Sequence, residues 1–89
     1  MFFCAFLRMK DPELSALHRP EHLAYLARLE RQESIFARGR FLDGSGGLVI
    51  YQAASEQEAR QLAEADPLVQ TGARELEFRA WEKTSSGDR

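Results

Sequence analysis

His18 and His22 are the only two histidines in the chain, four residues apart in the stretch HRPEHLAYL, residues 18 to 26. Four residues is about one helical turn, so both rings can share one face of a helix. A metal pair needs at least a third protein ligand. The intervening Arg19, Pro20 and Glu21 form no HExxH motif, and an adjacent arginine and a helix-breaking proline oppose a rigid pair. General acid/base work asks for less, because one imidazole titrating near neutral pH and one orienting carboxylate suffice. His22 is the candidate for that role, and a surface-bonded histidine in the first turn of a helix is the alternative.

The carboxylates that could orient it include Asp66, Asp43 and Glu21. Asp-Pro occurs at 11–12 and again at 66–67, each reading as an N-cap followed by a first-turn proline. Capping alone therefore accounts for Asp66. Cys4, the single cysteine, sits in the apolar run MFFCAFL and reads as a buried structural thiol, with no internal disulfide and no cysteine-based metal site. The glycines at 44–47 lack the Gly-Lys-Ser/Thr of a phosphate loop and lie between two strands, as a hairpin turn would. Ser15, Ser34, Ser45 and Ser55 have no nucleophile-elbow context. Neither metal nor cofactor is expected.

The elements that must position these groups follow from the pattern. FFCAFLRM, 2–9, is apolar throughout, as suits a strand covered on both faces. Leu14, Leu17, Leu23, Leu26 and Leu29 suggest a helix, which Pro20 divides into a short turn at 12–17 and a main helix at about 20–33. Residues 35–43 and 48–54 read as a hairpin. Ser55 with Glu58 three residues on opens a second helix that Asp66-Pro67 ends. RELEFRAWE, 74–82, alternates with period two, as a last strand does. The order β-α-β-β-α-β predicts an α+β, ferredoxin-like fold: a four-stranded antiparallel sheet with both helices on one face. The domain is expected to run over 1–82, with 83–89 a disordered tail.

That architecture leaves the other sheet face uncovered, with Tyr51 and Trp81 as candidates for it, and an apolar open face predicts a homodimer packed sheet to sheet. With 89 residues the chain makes one small domain, for which association is a common support. The net charge of -2, with acidic and basic residues interleaved, offers no basic stripe for nucleic acid. The N-terminal apolar run is too short for a membrane span and has no basic segment before it. A cytoplasmic protein without nucleic-acid or membrane partners is expected.

Taken in order, these segments resemble the YciI-like (YCII-related) proteins. The resemblance rests on the phenylalanine-rich first strand, Arg19-Pro20-x-His22-Leu23-x-Tyr25-Leu26, Gly39, the Asp43–Gly47 turn before LVIYQA, Ser55-x-x-Glu58-Ala59, Ala65-Asp66-Pro67-Leu68, Gly72 and Trp81. It implies a ferredoxin-like fold in a dimeric α/β-barrel assembly and a histidine/aspartate site, here His22 with Asp66. Arg19, Tyr25 and Arg40 are the expected substrate contacts. His18 falls outside the shared pattern. Two departures stand out: Arg40 replaces the proline usual after Gly39, which could favour an anionic ligand, and Leu68 replaces the usual aromatic. The function implied is a small enzyme doing acid/base chemistry (elimination, isomerisation or a lactone-type reaction) on an unidentified organic molecule. The alternative is a non-catalytic dimeric module that binds a metabolite or a partner. Parallel helices would place His22 and Asp66 at opposite ends, so their contact is the point for the structure to decide.

Overall fold

The computed structural model describes residues 1 to 87. The elements are β1 (Phe2–Met9), α1 (Pro12–Arg31), β2 (Ile35–Arg40), β3 (Gly46–Gln52), α2 (Glu56–Glu64), α3 (Pro67–Gln70) and β4 (Arg74–Trp81). The four strands form one sheet in the order β2-β3-β1-β4, all neighbours antiparallel. This is the ferredoxin-like arrangement, with a one-turn helix added after α2. The tail expected to be disordered has no helix or strand from 83 to 87, and residues 88 and 89 lie outside the described part.

Strand β1 is apolar on both faces because it is central and paired on both sides. Its odd residues Phe3, Ala5 and Leu7 join Val49 and Tyr51 under the helices, where Leu26, Leu29, Ala59 and Ala63 close the core. Tyr51 is thus a core residue, only 1% exposed, and not part of the open face. Its pairing with Phe3 fixes this, since directly opposed residues in a ladder share a face. Trp81 pairs with Phe2 on the other face, as expected, and the Phe2 ring makes edge contacts with Trp81 and Phe36.

Helix α1 runs unbroken through Pro20, correcting the expected division into two segments. Asp11 caps it, its side chain accepting from the Leu14 N–H, with Pro12 in the first turn. Pro20 removes only one helical donor, and it lies on the exposed side, where the freed Ala16 carbonyl can turn to water.

The leucine spacing also misleads. At about 100° per residue, Ser15, His22, Leu26 and Leu29 fall within an arc of about 60°, and these four are the buried residues of the helix. Leu17 lies on the far side, 68% exposed, and Leu23 at the flank, 37% exposed. His22 therefore occupies a core position in mid-helix, and not the first turn of a later helix.

Candidate functional site

The continuity of α1 places His22 at the middle of the helix on its sheet-facing side, and the chain after α2 comes to meet it. Ala65 ends α2, and Asp66 in extended conformation opens α3, its carboxylate accepting from the Leu68 N–H at 2.9 Å. The same carboxylate faces the His22 ring: Nδ1 lies 2.8 Å from Oδ1 and 2.9 Å from Oδ2. Asp66 is fully buried and His22 only 8% exposed. The two residues, 44 apart in sequence, thus meet within one chain, and Asp66 is both a helix cap and the partner of His22.

A carboxylate only accepts, so the proton between them sits on Nδ1 and the ring donates. The lone pair is then left on Nε2, which makes no hydrogen bond among the described residues. The carboxylate charge is felt nearby. Burial first, and then Asp66, push the Tyr25 hydroxyl above its usual range, with Arg28 partly opposing. The Tyr51 hydroxyl is pushed far up by the same two causes, in the same order, with a further contribution from Tyr25. Both tyrosines therefore remain protonated donors at neutral pH.

His22 borders a cavity of about 240 Å³ between α1 and the sheet. From α1 come Arg19, His22, Leu23 and Leu26; from β2, Arg38, Gly39 and Arg40; from the sheet behind, Leu7, Gly47, Leu48, Val49 and Arg74. The volume lies just below the ~300–1,000 Å³ range of most ligand pockets, so it suits a small organic molecule. Glycine at 47 keeps the floor open. A Cβ there would come 2.8 Å from the Gly39 carbonyl oxygen and 3.4 Å from Arg74 Nη1.

Three of the expected site residues therefore line one cavity, His22, Arg19 and Arg40, with Asp66 directly behind the ring. Tyr25 does not line it. Its hydroxyl donates to the Leu62 carbonyl at 2.9 Å, tying α1 to α2, and Arg28 lies over its ring. Tyr25→Phe should cost about 1 kcal/mol of stability, the usual contribution of one such bond, read as a lower urea midpoint. An unchanged midpoint would show that this tie carries no weight.

His18 sits 3.4 Å from Glu21 one turn on, apart from the His22–Asp66 pair. Asp43 caps its own turn by accepting from the Ser45 N–H. Arg38 and Arg74 escaped the sequence reading. The period-two spacing of Arg38 and Arg40 on an edge strand was the available signal for the first. Nothing local marks Arg74, which reaches the cavity only through the sheet register.

A ferredoxin-like α+β domain that sets a buried histidine–aspartate pair against a small basic cavity is the class these features define. The model of the YCII-related domain matches residues 1–82, and the chain belongs to that family. It is 32% identical over 81 residues to the uncharacterized protein YjpA of Bacillus subtilis (strain 168), covering 91% of this chain and 95% of that one. Among solved structures it resembles 5-chloro-2-hydroxyhydroquinone dehydrochlorinase (TftG) from Burkholderia phenoliruptrix AC1100 in complex with 2,5-dihydroxybenzoquinone. The TM-score is 0.81 at 24% identity, over 99% of this chain and all of that one. At that identity the likeness concerns the fold. No helix among the described residues is long and apolar enough to cross a membrane.

Proposed function

We propose that this protein is a small enzyme that moves protons on an organic substrate, with His22 as the general base and acid and Asp66 holding its tautomer. The observation that carries this is the Nδ1 contact to both oxygens of a fully buried Asp66, which leaves Nε2 as the ring's free nitrogen beside a cavity. Nε2 takes a proton from a carbon made acidic by a neighbouring carbonyl or phenolic oxygen. The bonding pair forms a new double bond, and either a leaving group departs with its electrons or the proton returns at another atom. Elimination, isomerisation and lactone-type reactions all fit this step, and no nucleophilic side chain or cofactor enters it. Dehydrochlorination, named for TftG, is itself an elimination, which supports the reading.

The test is deuterium uptake from D₂O by a panel of small enolisable acids and phenols, followed by mass spectrometry. His22→Gln is expected to slow exchange by about 10²–10⁴ while the circular dichroism spectrum is kept. Wild-type exchange no faster than that of the variant across the panel would remove the catalytic reading. Retained ligand binding alongside that result would make the protein a binding module.

A second copy of the chain is the proposed cover for the open sheet face. Phe2, Phe6, Leu48 and Ile50 form an apolar surface there, continued by the exposed Phe36 and Trp81. Two such faces stack about 10 Å apart in sheet-on-sheet packing. Light scattering at micromolar concentration is expected to give twice the chain mass, and a monomeric mass would end the idea. A cytoplasmic setting is the location we propose with this reading.

A further inference from the structure

The cavity wall carries an unusual charge for this chain. Four of the twelve basic side chains, Arg19, Arg38, Arg40 and Arg74, meet at about 240 Å³ of space in a protein whose net charge is -2. Among the described residues no aspartate or glutamate lines that space. Glu30 holds Arg38 from outside, with bonds of 2.8 and 3.1 Å to Nε and Nη2, and Asp66 is turned to His22 and the Leu68 N–H. Arg74 is set by Ser15, whose Oγ accepts from Nε at 3.2 Å, while its Nη1 lies over Gly47. The side chains of Arg19 and Arg40 make no hydrogen bond or ion pair among the described residues. Burial first, and then the nearby Arg19, hold the Arg74 guanidinium below its usual range, with Asp66 opposing.

Like charges gathered without counter-ions oppose folding unless something of opposite sign binds between them. Guanidinium groups also match planar, two-oxygen anions in geometry as well as charge.

We infer that this cavity selects a small organic anion, a carboxylate or an acidic phenol or enol, whose charged oxygens sit among Arg19, Arg40 and Arg74 while its carbon skeleton faces His22 and Leu26. This rests on the proposed reading insofar as the bound anion is the molecule on which His22 acts. Arginine beside the reacting carbon would also spread the negative charge that proton removal leaves on oxygen.

The test compares anions with uncharged counterparts of the same shape by calorimetry or NMR titration: 2,5-dihydroxybenzoquinone against 2,5-dimethoxybenzoquinone, and benzoate against benzamide. Each anion should bind at least about tenfold more tightly than its neutral counterpart, and binding should weaken with added salt. Arg40→Gln and Arg19→Gln, both exposed positions, should each weaken the anion by about ten- to a hundredfold, the usual effect of one charge-assisted hydrogen bond. The neutral molecules should be little affected.

His22→Gln separates the two readings. Anion binding kept in that variant without proton exchange in any form of the protein upholds the anion site and removes catalysis. His22-dependent exchange on neutral and charged substrates alike, indifferent to Arg40→Gln, removes the anion site and keeps catalysis. Saturable binding of neither anion in the millimolar range also overturns it.

Discussion

Asp66→Asn is expected to leave the protein folded while cutting His22-dependent proton exchange by about 10²–10⁴. Oδ1 accepts from both the Leu68 N–H and the His22 ring, so an amide with its oxygen at that place keeps the cap of α3. Its nitrogen then stands where Oδ2 was, 2.9 Å from Nδ1. The ring N–H then faces an amide N–H as well as an oxygen already bonded to Leu68, so the tautomer with its proton on Nε2, to whose Nδ1 the amide donates, becomes the favoured one. The nitrogen left to face the cavity becomes a donor and can no longer take a proton. Stability falls by only about 1–3 kcal/mol, as one charged hydrogen bond becomes a neutral one. Asp66→Ala is expected to fall further, because it leaves both donors unpaired in a buried place. Nitrogen-15 NMR of the imidazole reads the tautomer directly. An Asn variant that exchanges at the wild-type rate, or keeps its proton on Nδ1, would sink the argument.

Gly46→Ala should produce the largest loss of stability of any glycine-to-alanine change among the described residues, about 3 kcal/mol or more. Gly46 has φ +140, in the region that L side chains rarely adopt, and it opens β3 directly against β1. A Cβ there would overlap the backbone carbonyl of Leu7, and the backbone of a central strand cannot swing aside as a long side chain would. A domain of this size has only about 5–15 kcal/mol in total. Gly44→Ala serves as control. It too has positive φ, +80, but meets nothing within 4 Å, so its cost should stay near the ~1 kcal/mol of a left-handed residue. Urea unfolding of the two variants side by side decides the matter, and equal losses would show that the close approach to Leu7 is relieved elsewhere.

The fold was readable because its signals were local and agreed with one another. Two Asp-Pro caps, a serine-led helix start, a glycine turn and a period-two last strand each mark one boundary. The misreadings came where a local rule competes with packing. Pro20 forbids one hydrogen bond, but packing on either side holds α1 together. The parity that puts Tyr51 inward is set by the register against β1, which no single strand reveals. His22 and Asp66 could be named from the family pattern, but their contact could not be derived. It depends on how far into α1 the histidine falls, and hence on whether Pro20 breaks the helix. Arg74 was out of reach for the same reason as Tyr51.

The residues of the cavity divide by depth. His22 and Asp66 are buried between helix and sheet, so a change there costs stability as well as whatever the pair does. Arg38 and Arg40 project from β2, an edge strand with almost no buried residue, and Arg19 from an exposed turn of α1. Substitutions at these outer positions are cheap for the fold, so on the proposed reading the choice of ligand can change without touching the buried pair. On that reading the chemistry is tied to the core, and appetite is left to the rim.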